Sequence, residues 1–142
     1  MKQRKSRISL MQRWQRFLQI RAWRMDIHPT AWIASSALID RTYPKGIHIG
    51  EDCFLDEEVV VLTHDLTRGI YCHTRIGDRT ILGPRAIVLP GVTIGSGCRI
   101  AAGAIVNMDV PDGASVIGNP GRIAQAGKKF EVIISPDTGA RL

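Results

Sequence analysis

The chain has 142 residues, 44% of them hydrophobic, and a formal net charge of +6. That length suits one domain with its own core, and the lack of an apolar run near 18 residues excludes a membrane-spanning helix. The charge does not point to nucleic acid, because it is local: residues 1–24 hold eight Lys or Arg and no acid, leaving eleven bases and thirteen acids over the remainder.

Within a leader spanning residues 1–25, Leu10, Trp14, Phe17 and Leu18 recur at helical spacing, with Arg13, Arg16 and Arg24 elsewhere around the wheel. This predicts an amphipathic helix over 8–24. Two uses suit it. Its apolar face caps the open end of a solenoid or packs on a neighbouring subunit; alternatively, a basic, Trp-bearing helix rests on an anionic membrane surface, a peripheral contact made through residues 1–24. No secretory signal pattern is recognisable, so a cytoplasmic protein is expected.

From Ile27 the chain takes up a six-residue rhythm, with Ile33 and Ile39 following. After a four-residue insertion containing Tyr43-Pro44-Lys45-Gly46 it restarts at Ile49, Leu55 and Val61. It then runs unbroken through Ile76, Leu82, Val88, Ile94, Ile100 and Val106. Four positions after each of these six stands a small or β-branched residue, Thr80, Ala86, Val92, Cys98, Ala104 and Val110, and Gly or Ala often follows the aliphatic directly. No helix or ordinary strand has this period, so it marks a repeat architecture. Each hexapeptide supplies a short strand and a turn, the aliphatic points inward, and glycine relaxes the corner. Three hexapeptides close one triangular coil. The prediction is an all-β solenoid over residues 26–125, with a weakly ordered tail over 126–142.

Between Val61 and Ile76 lie fifteen positions where twelve would keep register, so a loop leaves the solenoid there. Loops that interrupt a rigid scaffold are where binding groups are presented. This one runs from Thr63 to Thr74 and holds His64, Asp65, Cys72 and His73. Imidazole, with an ordinary pKa near 6.5, suits general-base work at neutral pH. His64 is the first candidate because it sits where the solenoid opens into the loop. Asp65 is placed either to orient it or to accept a hydrogen bond from an acceptor. His73, at the far end, is a candidate to reach an acceptor, and His48 and Asp56 are candidates to line the acceptor pocket of a trimer. Cys53 and Cys98 fall in the small inward slot, and no C-x-x-C spacing suggests a metal or a redox pair.

The phased repeats, the Thr63-His64-Asp65 loop and the ending Asp109-Val110-Pro111 with Ile117-Gly118-Asn119-Pro120-Gly121-Arg122 resemble the hexapeptide-repeat acyltransferases. Tyr43–Gly50, Leu62–Asp65 and Ile87–Val92 are most similar to the sugar O-acetyltransferases of capsule, O-antigen and exopolysaccharide clusters. Asp26-Ile27-His28-Pro29 resembles serine acetyltransferase, but Arg41 follows Ile39-Asp40 where that enzyme carries its acid–base histidine. The resemblance implies a left-handed parallel β-helix, a homotrimer with active sites between subunits, and direct transfer from acetyl-CoA with no metal and no acyl-enzyme. It makes His64 the base and Gly83 an oxyanion donor. It also places Gly83, Ala101, Ala102 and Asn107 along the CoA arm and Arg122 at its phosphates. The expected acceptor is a carbohydrate of a surface polysaccharide or its lipid-linked precursor, acetylated in the cytoplasm or at the inner face of the membrane. γ-Class carbonic anhydrases share the fold but need a histidine pair at H-x-x-x-x-H spacing, and His64 and His73 are nine apart. An inert scaffold remains the reading that would not depend on His64.

Overall fold

A computed structural model describes residues 9–124; the first eight residues of the leader and the expected tail lie outside them. Each coil lays one short strand on each of three faces. Asp26–Ile27, Ile47–Ile49, Thr74–Ile76 and Thr93–Ile94 stack in parallel on the first face. Trp32–Ile33, Phe54–Leu55, Ile81–Leu82, Arg99–Ile100 and Ser115–Ile117 form the second. Leu38–Ile39, Val60–Val61, Ile87–Val88 and Ile105–Val106 form the third. Arg122–Ala124 closes the second face by turning back antiparallel on Ser115–Ile117.

Register puts each aliphatic on the next: Ile33 on Leu55, Leu55 on Leu82, Leu82 on Ile100, Ile100 on Val116. All six aliphatics of the unbroken run, and all six small residues that follow them, are buried. Both slots of the repeat therefore feed one continuous core. The corners work differently from the expectation. The left-handed residue is the third after the aliphatic, at Asp52, Glu58, Arg79, Arg85, Gly91, Gly97 and Gly103, and four of these are not glycine. Their strain is offset by bonds to the coil before, such as Arg79 N–H to the Glu51 carbonyl at 2.7 Å and Arg85 N–H to the Glu57 carbonyl at 2.9 Å. The glycine directly after the aliphatic serves close approach instead: a Cβ at Gly77 would lie 2.6 Å from the Gly95 carbonyl carbon.

The leader forms α1 (Leu10–Phe17), whose last turn widens into a π-type turn over Leu18–Ala22. Ser9 and Gln12 make a reciprocal capping box at its start. The helix lies across the first coil, as one of the two expected uses required, but it does so with its polar side. Leu10, Met11, Trp14 and Phe17 are exposed, whereas Gln19 is buried and Ile20 and Trp23 touch the core.

The cause is the backbone. In later coils the carbonyls of Cys53 and Leu55 receive the N–H groups of Trp32 and Ala34 from the coil before. Ala31 and Ile33 hold the same places in the first coil, and no coil precedes them among the described residues. Arg16 Nη2 donates to the Ala31 carbonyl at 2.6 Å, and Gln12 Nε2 donates to the Ile33 carbonyl at 3.4 Å. An edge of unpaired carbonyls needs donors, which an apolar face lacks. We expect Arg16→Met to lower stability by ~1–3 kcal/mol in urea unfolding, and Leu10→Ser to change it by less than ~0.5 kcal/mol; an apolar cap would give the reverse order.

Candidate active site

His64 leaves the solenoid just after the third face of the second coil and pairs, with Asp65, against Ile70–Tyr71 in a two-stranded hairpin. The base of this loop is clamped. Cys72 N–H donates to the Thr63 carbonyl at 2.8 Å, and the Thr74 hydroxyl donates to the Leu62 carbonyl at 2.6 Å. Thr63 and Thr74 are both fully buried, so the root of the loop belongs to the core.

The group that holds His64 is Asp40. Its side chain is 3% exposed, and its Oδ2 accepts the backbone N–H of Thr63 at 2.8 Å and that of His64 at 3.1 Å. The same oxygen makes a close hydrogen bond with His64 Nδ1, while Oδ1 accepts Thr42 N–H at 2.8 Å. Burial works against ionisation of this carboxyl, but the bonds from the His64 ring, the Thr63 and Thr42 backbone and the Thr63 hydroxyl prevail and hold its pKa at about 2. A carboxylate facing Nδ1 fixes that nitrogen as the donor, so Nε2 carries the lone pair. The imidazole is one-fifth exposed and is stacked beside Tyr71 at 6.3 Å. It is a tautomer-fixed imidazole at the root of an open loop.

Asp65, expected either to orient this ring or to meet an acceptor, faces elsewhere. Its carboxylate caps the hairpin turn, accepting from the Thr67 hydroxyl and N–H and from Arg68 Nε at 2.7 Å, and these bonds push its pKa down. Adjacent residues on a strand point to opposite sides, so His64 and Asp65 cannot both face the Asp40 pocket. Sequence inspection missed Asp40 because it lies 24 residues before its partner. The available signal was coil position: Asp40 follows Ile39 as Leu62 follows Val61.

His48 and His73 do come together. His48 Nδ1 bonds Asp26 Oδ2 at 2.9 Å, its Nε2 lies 2.8 Å from His73 Nδ1, and His73 Nε2 lies 3.4 Å from the Tyr43 hydroxyl. Tyr43 meets Tyr71 edge to face at 5.9 Å, which joins this chain of groups to the His64 side. Asp56 is not part of it. It follows Leu55 at the corner between the second and third faces, in one column with Gly83 and Ala101. Ala102 is exposed beside that column, and Arg122 is exposed on the closing strand. Asn107 follows Val106 at the other corner, between the third and first faces, the corner from which the His64 loop departs.

Gly83 cannot be the oxyanion donor implied by the resemblance, because its N–H is spent on the Ile100 carbonyl at 2.8 Å. Its lack of a side chain serves packing, since a Cβ there would lie 2.8 Å from Ala102 N. Cys53 and Cys98 are buried, and burial raises both thiol pKa values. Among the described residues, no three His, Cys, Asp or Glu side chains converge as a metal site.

The bacterial transferase hexapeptide family (six repeats) matches residues 73–107. YvoF of Bacillus subtilis (strain 168), which bears the name of an acetyltransferase, is 35% identical over 102 residues, covering 70% of this chain and 59% of YvoF. The serine acetyltransferase of Bacillus pumilus (strain SAFR-032) is 37% identical over 112 residues, covering 75% of this chain and 51% of that enzyme. The chain thus spans between half and three-fifths of these curated relatives. A hexapeptide-repeat-containing acetyltransferase from Vibrio cholerae superimposes with a TM-score of 0.61 at 25% identity, over 85% of this chain and 84% of that one. Coils in register, aliphatics stacked in columns and a loop rooted between two coils agree with these matches: the chain belongs to the hexapeptide-repeat acyltransferases and has their left-handed parallel β-helix fold.

Proposed function

We propose that this chain is an acetyl-CoA-dependent O-acetyltransferase acting on a sugar hydroxyl. The observation that carries this reading is the buried Asp40 carboxylate fixing His64 with Nε2 free. His64 Nε2 takes the proton of the acceptor hydroxyl as its oxygen attacks the thioester carbonyl carbon. Asp40 stabilises the imidazolium that forms. Collapse of the tetrahedral intermediate breaks the carbon–sulfur bond, and the imidazolium returns its proton to the leaving CoA thiolate. Nothing in this route needs an acyl-enzyme.

The aromatic wall of Tyr43, Tyr71 and His73 beside His64 supports a ring-shaped, hydroxyl-rich acceptor, since aromatic faces and a few placed polar groups are how small-molecule sites select such ligands. His64 opens from one corner of the coil, while Gly83, Ala101, Ala102 and Asp56 sit at or beside another, about 15–20 Å away for one side of the triangle. A homotrimer, with the CoA arm in the groove between subunits, brings two such corners together, with Arg122 toward the phosphates. On this reading the acceptor is a surface polysaccharide unit or its lipid-linked precursor, and the enzyme works in the cytoplasm at the inner face of the membrane. A second reading, serine as acceptor, is supported by the 37% identity to a named serine acetyltransferase. Thiol release from acetyl-CoA against a panel of sugars, nucleotide sugars and serine separates the two.

His64→Ala should lower turnover at least ~10²-fold with the assembly intact by size-exclusion chromatography; near-normal turnover would sink the assignment and favour an inert scaffold. Asp40→Asn should lower kcat by at least ~10-fold, because an amide no longer selects the productive tautomer, whereas Asp65→Asn should leave kcat within a few-fold. Asp40 also carries a pH signature. Folding lowers its pKa from 3.8 to about 2, so the unfolded chain binds more protons between those values. The stabilisation, ~2 kcal/mol, is complete above about pH 4 and is lost as pH falls through about 2. The difference in urea midpoint between the native chain and Asp40→Asn should therefore shrink over that interval.

A further inference from the structure

Between α1 and the second face lies a cleft of about 340 Å³, walled by Phe17, Ile20 and Trp32 and bearing Arg13, Arg16 and Arg21. No acid lines it. Trp32 contributes a buried indole N–H that has no acceptor among the described residues. Arg13 and Phe17 also border a shallower surface formed with Leu10, Met11 and Trp14. There Leu10 is 82% exposed and Trp14 65%, with Trp14 and Phe17 stacked at 5.7 Å. A cationic cleft and an apolar stripe are thus continuous on one side of the helix.

We propose that this surface docks on an anionic phospholipid bilayer, with Leu10, Trp14 and Phe17 at the boundary of headgroups and acyl chains and Arg13 and Arg21 at the lipid phosphates. The chemistry favours lipid over a second copy of the chain. A contact of this surface with its equivalent on a second copy would set Arg13 and Arg21 against their own counterparts with no acid in the lining to pair them, whereas lipid phosphates complement both. Trp with interleaved Arg is the composition of helices that lie in a membrane interface. The helix is also held to the solenoid by Gln12 and Arg16, so burying the opposite side in lipid costs no existing contact. No described helix is long and apolar enough to cross a membrane, and the contact is peripheral. It would bring the first coil, and the His64 loop one coil on, next to the bilayer whatever the acceptor is.

The test is flotation of the full chain with vesicles of phosphatidylcholine alone and of phosphatidylcholine with phosphatidylglycerol. We expect binding to the mixed vesicles only, weakened by salt. The triple variant Leu10→Ser, Trp14→Ser, Phe17→Ser and the double variant Arg13→Gln, Arg21→Gln should each lower the bound fraction at least ~10-fold. Urea midpoint, assembly size and thiol release with a soluble acceptor should stay unchanged, which keeps this result separate from that of the His64 assay. The proposal is overturned by no binding to anionic vesicles, by equal binding to neutral ones, or by undiminished binding of both variants. It is also overturned if either variant yields a smaller assembly, which would assign the surface to a second copy. Binding of soluble glycerol 3-phosphate without vesicle association would assign the cleft to a free phosphate and overturn it too.

Discussion

The coil-to-coil hydrogen-bond ladder is the constraint on which everything else depends. Each strand is only two or three residues long, far too short to persist alone, and it exists because the coils on either side complete its bonds. The ladder forces equivalent residues into columns, and the columns create the core, the corners and the site. It also leaves an end. Carbonyls that any interior coil would satisfy stand open at Ala31 and Ile33, and the chain covers them with an arginine and a glutamine. The orientation of α1 follows from that need, and so does the exposure of its apolar stripe.

The same columns explain how a carboxylate and an imidazole far apart in sequence become a pair. Asp40 ends the third face of the first coil, and Thr63 and His64 lie just past the end of that face in the second. Stacking alone would bring them close. The buried carboxylate then becomes a hub, taking the backbone of Thr63 and His64, the Thr42 N–H and the His64 ring. One residue anchors the root of the loop and sets the state of its histidine, so geometry and reactivity cannot drift apart.

Much of this was legible in the sequence, because a period of six is a property of neighbours along the chain. The burial of Ile76, Leu82, Val88, Ile94, Ile100 and Val106 and the departure of the loop after Val61, with His64 at its root, all follow from counting. What escaped was lateral. Asp40 faces His64 across coils, and the insertion at Tyr43–Gly46 hides the alignment that would reveal it. Asp65 is the sequence neighbour of His64, yet its carboxylate turns to Thr67 and Arg68. The sense of α1 was lost for another reason: an amphipathic pattern shows which residues share a side, but not whether the surface beneath offers apolar side chains or unpaired backbone. Arg79 and Arg85 in left-handed corners likewise contradict local preference, and only the bonds they make to Glu51 and Glu57 account for them.

The clamp at the base of the His64 loop separates two kinds of change. Cys72 to Thr63 and Thr74 to Leu62 close the excursion where it leaves the core. Residues from Leu66 to Gly69 lie beyond that closure, at the hairpin tip, and all four are exposed. Lengthening or recomposing that tip would alter what the protein greets without disturbing the imidazole behind it. Such a scaffold can vary its rim while the Asp40–His64 pair stays locked in the wall.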